Sequence, residues 1–327
     1  MYNLSQLNWP LVRAKPWYPG QAGIAHSDNA LGLRTIPQAL PIYVDPAIGD
    51  DDNDGTDPEG PKATIQSAAN SPFLENGSII ALAPGAYTES VITPNWVIGP
   101  NYVTIIGLGA TPYAVQWQSD AINLPCLDVR AVGWRVENVR MMAPTQEACI
   151  QLRHTDTGAD DIAIQTVLQN ILFDGLTTGR YGVVSHGAYD VWIKQCVFQL
   201  FHNGVGGGAV PLLTGTTPLA IPYRNHILDC MFWDSDNGAI FPCNGSEIKG
   251  NVFQPTGYAY AMTQVLNTSI VANPGDDNVV TRNVMPGDYS IAGGYRPGAA
   301  DFWGGNFAED LAEPEVSDSG ITIARPI

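Results

Sequence analysis

An acidic loop near the start of the sequence has the residue types and spacing of half a calcium site. Within residues 49–55, three carboxylates alternate with other residues ahead of a glycine: Asp50, Asp52 and Asp54. Calcium loops of this kind also place a bidentate glutamate at the twelfth position. Pro61 stands at that position here, and Glu59 lies two residues earlier. Two interpretations follow: one Ca²⁺ bound by these carboxylates, or a solvated turn in which Asp and Asn side chains bond the backbone and Gly55 takes a positive φ.

A second group of polar residues lies in the middle of the chain and contains three carboxyl groups and one imidazole: Asp156, Asp160, Asp161 and His186. Inverting hydrolysis of a glycosidic bond uses one carboxyl group as general acid and another as the base for water. The three aspartates could supply both groups, and His186 could assist them. In the alternative interpretation, residues 156–161 form an ordinary polar loop and His186 lies at the end of a strand.

These residues resemble, in part, the motifs of polygalacturonases, which are β-helix glycosidases. That family carries NTD, then DD before an apolar strand, then GHG and RIK; the corresponding stretches here are HTD, DD, SHG and WIK. HTD lies four residues before DD and WIK follows early, so only Lys194 could take the cationic role. A lyase would instead need a basic residue beside calcium carboxylates, and the candidates are Lys194, Arg153, Arg180 and Lys249.

Aromatic side chains provide a third kind of candidate site, one that binds a glycan without turnover. The candidates are Trp192, Trp233, Tyr258 and Tyr260. Exposed rings of this kind could form a carbohydrate-stacking groove, and the same rings could equally pack between coils or against another subunit.

The elements that must position these groups are short apolar runs that recur at irregular intervals after residue 78. Six of them share Asn or Cys followed by two large apolar residues, which aligns Asn138, Asn170, Cys196, Cys230, Asn251 and Asn283. In a parallel β-helix, equivalent residues of successive coils stack about 4.8 Å apart, so Asn at a bend can form a ladder and Cys can replace it. The pattern predicts a structural ladder at these positions, with inward aliphatic and aromatic stacks beside it. Roughly 27 residues per coil predicts about eight coils.

Residues 42–90 indicate how this solenoid begins. Ile42-Tyr43-Val44 has the pattern of a strand, residues 63–70 that of a short helix with Thr64 as N-cap, and residues 78–83 that of a second strand before Pro84-Gly85. The stretch resembles the N-terminal entry of right-handed parallel β-helix proteins of the pectate-lyase-like superfamily. The matching residues are Tyr43, Val44, Gly49, Asp51, Asn53, Gly55, Thr56, Pro61, Thr64, Ile65, Gln66, Ala68, Ile80, Pro84, Gly85, Tyr87 and Glu89. In that superfamily the acidic stretch is a turn, which favours the turn over the calcium site.

The resemblance implies an all-β fold: a single-stranded right-handed parallel β-helix with a short N-terminal capping helix. We expect three parts, namely an N-terminal arm (1–41), the β-helix (42–290) and an irregular C-terminal tail or cap (291–327). The arm, with Trp9 and Trp17 among several prolines, is interpreted either as a segment packed along the body or as a docking segment.

Charge and cysteine content restrict the partners. With 15 basic and 32 acidic residues the net charge is −17, which disfavours nucleic acid and anionic membranes. No run of 18 apolar residues and no signal-peptide pattern is present in the sequence. The five cysteines, without a CxxC pair, predict buried free thiols, as in a protein that folds in a cytoplasm.

The β-helix superfamily contains both enzymes and phage spikes and fibres, so the fold leaves the function open. The broken catalytic motifs and free cysteines favour a virion structural protein of a phage or virus, of the head-fibre, capsid-decoration or tailspike type, which is made in the host cytoplasm. We expect a homotrimer that contacts other virion proteins through residues 1–41 and binds a polysaccharide. No cofactor is expected apart from Ca²⁺ at the acidic loop. The alternative is a polysaccharide hydrolase or lyase.

Overall fold

Three long parallel sheets wind around a common core. The structure, a computed structural model, describes residues 41–144, 147–154, 161–201, 210–214, 223–235, 239–240, 244–254, 262–263, 277–285, 295–296 and 302–308. Within these ranges the chain visits sheet 1, sheet 2 and sheet 3 in turn and then returns to sheet 1 one level higher. Every strand-to-strand pairing between neighbouring coils is parallel, as in β1 with β2 and β10 with β13. The predicted parallel β-helix is therefore confirmed.

The described part of the chain contributes ten strands to sheet 1, nine to sheet 2 and eight to sheet 3. Sheet 1 comprises β1 (Ile42–Val44), β2 (Ile79–Leu82), β5 (Thr104–Gly107), β8 (Arg135–Glu137), β11 (Val167–Gln169), β14 (Trp192–Lys194), β17 (His226–Leu228), β20 (Glu247–Lys249), β23 (Val279–Thr281) and β26 (Phe302–Gly304). Sheet 2 comprises β3 (Gly85–Thr88), β6 (Val115–Gln118), β9 (Arg140–Met142), β12 (Leu172–Asp174), β15 (Val197–Gln199), β18 (Met231–Trp233), β21 (Val252–Gln254), β24 (Val284–Met285) and β27 (Phe307–Ala308). Sheet 3 comprises β4 (Val91–Ile92), β7 (Leu127–Val129), β10 (Ala148–Arg153), β13 (Tyr181–His186), β16 (Val210–Thr214), β19 (Ala239–Ile240), β22 (Met262–Thr263) and β25 (Tyr295–Arg296).

The sheets continue past residue 290, where the sequence predicted an irregular tail. Strands β25, β26 and β27 each pair in parallel with the strand one coil earlier. Asn306 precedes β27 just as Asn283 precedes β24, so the Asn of the sequence repeat recurs in this coil. The sequence alignment required two large apolar residues after the Asn, and here the second of them is Ala308. The rest of residues 291–327, and the arm before residue 41, lie outside the described residues.

A short helix, α1 (Ile65–Ala69), closes the first coil. The Thr64 hydroxyl accepts a hydrogen bond from the Ser67 amide at 3.1 Å, which confirms the predicted N-cap. The Glu89 carboxylate accepts from the amides of Ile65 and Gln66, both at 2.9 Å. These bonds satisfy amides that a helix start leaves unpaired, while the buried face of α1 covers the open end of the core. A 3₁₀ turn follows later, at Pro112–Ala114.

Side chains alternate between the core and the outer surface along each strand, as the pleat requires. From β12 to β21 of sheet 2 the second residue of each strand points inward, and four phenylalanines stack there in successive coils with ring centroids 4.6–4.7 Å apart: Phe173, Phe198, Phe232 and Phe253. The residue before each phenylalanine points outward. The predicted inward stacks are present, but each comes from one residue of the apolar pair.

The turns from sheet 1 to sheet 2 hold two columns of residues, where the sequence aligned one. The first column has positive φ and includes Asn138 and Asn170, at 56° and 51°, together with Gln195, Asp229, Gly250, Arg282 and Gly305. The second column, one residue later, is buried and contains Cys196, Cys230, Asn251, Asn283 and Asn306. The sequence alignment therefore combined residues of both columns. In two coils the aligned Asn belongs to the first column, and the buried residue that follows it is apolar: Val139 after Asn138 and Ile171 after Asn170.

The buried column is a hydrogen-bonded ladder. The Asn283 side chain accepts from the backbone amide of Asn251 at 2.9 Å and from its Nδ2 at 3.0 Å, and Asn306 repeats both bonds with Asn283. Cys196 and Cys230 continue the column with thiol contacts to backbone carbonyls. Each side chain satisfies a backbone group that the turn would otherwise leave buried and unpaired.

A similar ladder stabilises the turns from sheet 3 to sheet 1. The Asn225 Oδ1 accepts from the Val191 amide at 3.0 Å, the Ser246 hydroxyl accepts from the Asn225 amide at 3.0 Å, and the Asn278 Oδ1 accepts from the Ser246 amide at 2.9 Å. Residues of positive φ precede these positions too, among them Arg224 and Asp277.

Four cysteines are buried free thiols, as predicted: Cys126, Cys149, Cys196 and Cys230. Cys243 lies outside the described residues. In the part of the chain that the structure describes, no helix is long and apolar enough to cross a bilayer.

Candidate functional site

The acidic loop is a turn whose carboxylates bond the backbone. Asp50 accepts from the Asp52 amide at 3.0 Å, and Asp54 accepts from the amide and hydroxyl of Thr56 at 2.7 and 2.8 Å. The hydrogen bonds from Thr56 hold the pKa of Asp54 below its ordinary value. Gly55 has φ of 77°, as the turn interpretation predicted.

The cation inside this loop is an ammonium group. The Lys62 Nζ donates to the carbonyl oxygens of Asp51 and Asn53, at 3.2 and 2.7 Å, and Lys62 is only 5% exposed. The predicted calcium ligands Asp50, Asp52 and Asp54 are exposed instead. Among the described residues, no group of three or more His, Cys, Asp or Glu side chains converges as a metal site would require.

The candidate catalytic residues lie partly on the outer face of sheet 3. Asp156 and Asp160 are outside the described residues. His186 ends β13, next to Arg153 at the end of β10. The hydrogen bond to Asp128 is the main cause that raises the pKa of Arg130, and the charge of nearby Asp161 adds to it. Burial first, and then the charge of Arg153, lower the pKa of His186 below 6.5, so the imidazole is neutral around neutral pH.

A buried carboxylate, which the sequence had not singled out, organises this face. Asp128 on β7 is 2% exposed and is bound by two guanidinium groups: Arg130 at 2.7 Å and Arg153 at 2.8 Å. Charge-assisted bonds of this kind fix both guanidinium groups, so Asp128 positions the two arginines on this face. The sequence signal was faint, since Asp128 is a lone acid between Leu127 and Val129.

A groove of about 670 Å³ lies on the outer face of sheet 2, against the turns from sheet 1. Its floor is the outward column of three successive coils, Leu172, Val197 and Met231, which are in register. Two exposed rings flank it: Tyr113 from the 3₁₀ turn, 55% exposed, and Trp233 from β18, 45% exposed. The rest of the lining is Pro112, Asn170, Ile171, Gln195 and Gln199.

Apart from the two rings, the polar side chains of the groove are carboxamides, from Asn170, Gln195 and Gln199. The Gln199 Nε2 donates to Asp174 at 3.2 Å, and the Gln195 Oε1 accepts from Gln169 at 3.2 Å, so each amide is oriented by a neighbour. Arg140 binds the buried Asp174 at 2.7 Å and lies 5.6 Å from the centre of the Tyr113 ring. The lining itself carries no charged side chain. Of this groove the sequence had singled out Trp233 and Asn170, because the other residues come from distant coils and have no motif.

The other aromatic candidates lie elsewhere on the surface. Trp192 stacks on His226 at 3.8 Å on the outer face of sheet 1, one coil apart. Tyr189 stacks on Tyr223 at 4.5 Å, and Arg224 lies over both rings. Tyr258 and Tyr260 are outside the described residues. Each of these two pairs is stacked ring on ring, whereas Tyr113 and Trp233 line the concave groove on sheet 2.

The basic residues considered for a lyase are dispersed. Lys194 and Lys249 lie on sheet 1, and Arg153 is bound to Asp128 on sheet 3. The guanidinium of Arg180 lies 4.9 Å from the centre of the Tyr181 ring.

Several solved structures share this architecture. Pectate lyase Pel9A has a TM-score of 0.56 at 13% identity, over 84% of this chain and 70% of that chain. Alginate lyase from Paenibacillus sp. has a TM-score of 0.52 at 14% identity, over 82% and 96%. Pectin methylesterase from Aspergillus niger has a TM-score of 0.51 at 11% identity, over 90% and 93%. At these identities the likeness shows the fold alone, a right-handed parallel β-helix.

No protein-family model and no curated protein sequence matches this chain.

Proposed function

We propose that this protein is a structural protein of a phage or virus particle, of the head-fibre, capsid-decoration or tailspike type, that binds a glycan on the side of its β-helix. The observation that carries the proposal is the groove on sheet 2. It combines two exposed rings, an apolar floor and oriented carboxamides, which together suit the apolar faces and hydroxyl groups of a sugar chain. Concave, mostly apolar sites with a few placed polar groups are the usual form of a small-ligand site.

The charge of the groove selects the kind of glycan. Its lining carries no charged side chain, whereas the whole chain has a net charge of −17. A polyanionic sugar chain would meet long-range repulsion, and the guanidinium beside the groove, that of Arg140, is already bound to Asp174. We therefore expect a neutral polysaccharide.

Two further observations support the virion part of the proposal over a secreted enzyme. Four thiols are buried and free, which fits folding in a reducing cytoplasm. The most buried carboxylate of the predicted catalytic face, Asp128, is 2% exposed and is bound by two arginines, which shield it from a substrate. A particle protein needs a rigid body and a recognition surface, and it needs neither a general acid nor a general base.

A polysaccharide hydrolase or lyase is the second candidate. One observation favours it: Asp161 lies near Arg130 and His186 lies beside Arg153, so two of the predicted catalytic residues are close to the arginines that bind Asp128. Incubation with a polysaccharide panel tests it, with Asp161→Asn as the control. Product release that the substitution abolishes would establish the enzyme and overturn the non-catalytic assignment.

The test of glycan binding is calorimetric titration with neutral bacterial cell-surface polysaccharides. Trp233→Ala and Tyr113→Ala should each weaken binding by about fivefold or more, since loss of one stacked ring costs roughly 1–3 kcal/mol. Trp192→Ala is the matched control, because Trp192 is 37% exposed on a different sheet. Binding that depends on Trp192 and not on Trp233, or no binding at all, would refute the groove.

The particle role is tested by native mass of the full chain beside a chain that starts at Leu40. We expect a trimer, or attachment to particles, for the full chain and a monomer for the shorter one. Two monomers would remove the support for assembly through residues 1–41.

A further inference from the structure

The four described thiols form two pairs, and each pair consists of equivalent residues on neighbouring coils. In the first pair, Cys126 immediately precedes β7 and Cys149 is its register equivalent in β10. Both are fully buried in the main core. The Cys126 thiol contacts the carbonyl oxygen of Met142 at 3.5 Å, and the Cys149 thiol contacts that of Met141 at 3.7 Å. The two thiols therefore reach adjacent carbonyl groups of the same strand, β9.

The second pair, Cys196 and Cys230, lies at the turns from sheet 1 to sheet 2. Each cysteine immediately precedes its strand, β15 or β18, and these two strands pair in parallel. The Cys196 thiol contacts the carbonyl oxygen of Lys194 at 3.4 Å, and the Cys230 thiol contacts that of Leu228 at 3.4 Å. These carbonyl groups are also equivalent, two residues before each cysteine, so the two thiols have the same orientation in both coils.

Within each pair the two thiols are direct neighbours. Cys126 hydrogen-bonds to the thiol of Cys149, and Cys196 to the thiol of Cys230. Equivalent residues of neighbouring parallel strands lie about 4.8 Å apart. Disulfide-bonded cysteines have Cα atoms roughly 4.4–6.8 Å apart. The spacing of the coils thus holds each pair at a separation that a disulfide can bridge.

We propose that the two pairs are sites of oxidative modification, at which a peroxide joins neighbouring coils through disulfides from Cys126 to Cys149 and from Cys196 to Cys230. Hydrogen peroxide first oxidises one thiol to a sulfenic acid and releases one water. The neighbouring thiol then attacks the sulfenic sulfur. The S–S bond forms, the S–O bond breaks, and the hydroxyl group leaves with the thiol proton as a second water. Each pair loses two electrons, which one peroxide molecule accepts.

Burial determines which oxidant can act. All four cysteines are at most 1% exposed, and burial raises the pKa of Cys149 and of Cys230 well above the ordinary thiol value. A bulky disulfide reagent is therefore excluded, whereas hydrogen peroxide is small and uncharged and reacts slowly. Because the partner thiol is adjacent, it captures the sulfenic acid before further oxidation.

The redox state of the surroundings decides when these bonds form. A reducing cytoplasm keeps the thiols free while the chain folds. Exposure to peroxide afterwards adds a covalent connection along the solenoid axis. The inference does not depend on the glycan groove or on the particle role.

The test uses the full chain with Cys243→Ser, so that four cysteines remain. The folded protein is incubated with hydrogen peroxide, remaining thiols are alkylated in denaturant, and unreduced peptides are mapped by mass spectrometry. We expect the two links named above and a mass about 2 Da lower for each. Four unreacted thiols, sulfinic acids without a link, or links between other partners would overturn the inference.

Two further variants test the choice of partner. Cys149→Ser and Cys230→Ser, each added to Cys243→Ser, remove one member of one pair. Each should lose its own link and keep the other, and dithiothreitol should restore the thiols of the link that remains. A new link from Cys126 to Cys196 in either variant would show that the register of the coils does not select the partners, and would refute the inference.

Discussion

The side chain of Asn283 accepts two hydrogen bonds from Asn251, one coil away: from the backbone amide at 2.9 Å and from Nδ2 at 3.0 Å. Its own Nδ2 donates to the carbonyl of Ile248 at 3.0 Å. Both asparagines are fully buried. One side chain therefore satisfies three groups of the preceding coil and ties the turns of the two coils together.

Asn283→Leu should strongly destabilise the protein. The change leaves the Asn251 amide groups and the Ile248 carbonyl buried without this partner, at about 1–3 kcal/mol for each unsatisfied group. Urea unfolding of the full chain measures the loss. Asn170→Gly is the control, since it removes an exposed ladder residue and keeps the positive φ, and it should cost less than about 1 kcal/mol. Equal losses would contradict a special role for the buried column.

Phe198→Ala should cost about 3–5 kcal/mol of unfolding free energy, because it opens a cavity within the phenylalanine stack. Phe198 stacks on Phe173 at 4.6 Å and on Phe232 at 4.7 Å. Val197→Ala changes the adjacent outward residue and should cost far less. Denaturation midpoints compare the two, and a similar loss for both would show that the stack adds little to the core.

His186 should make the protein less stable as pH falls. Burial and Arg153 lower the pKa of His186 below 6.5, while Asp128 acts in the opposite direction. Below pH 6.5 the unfolded chain binds a proton that the folded chain does not, so stability decreases until the pH reaches the folded pKa. Urea midpoints from about pH 8 to about pH 5 should show a slope that His186→Gln reduces. A wild-type minus variant difference that is constant with pH would rule out this linkage.

The four described thiols should resist modification in the native protein. Burial raises the pKa of Cys149 and of Cys230 well above the ordinary thiol value, which removes the reactive thiolate. Titration with a chromogenic disulfide should release little colour before urea is added. Cys243→Ser isolates these four from the remaining cysteine. Rapid reaction of the variant under native conditions would contradict the burial of these four thiols.

Lys62→Met should destabilise the acidic turn, because its ammonium binds the carbonyls of Asp51 and Asn53 while the methionine cannot. Added Ca²⁺ should leave the melting temperature of the wild type unchanged, since Lys62 occupies the loop. Differential scanning calorimetry with and without a chelator measures both effects. A rise in melting temperature with Ca²⁺ would restore the calcium interpretation for Asp50, Asp52 and Asp54.

The sequence alone determined the features that depend on local, repeated chemistry. The alternation of short apolar runs with Asn or Cys predicted the coils, because any residue at a bend must satisfy its own backbone. The cap was readable from Thr64 and the apolar residues of α1, since an N-cap and its helix lie within a few positions of each other. The positive φ of Gly55 was also predictable from the sequence, because the turn residues around it are its close neighbours along the chain.

Only the tertiary structure decided which of two adjacent residues points inward at each turn. Asn138 and Asn251 look equivalent in sequence, yet the first has positive φ at the surface and the second is buried, a shift of one residue that exchanges the two sides of the chain. The binding of Asp128 by Arg130 and Arg153 could be found only from the structure. The same holds for the groove between Tyr113 and Trp233. Their residues are brought together by the stacking of coils, and the coil lengths that set this register vary with loops that carry no repeat.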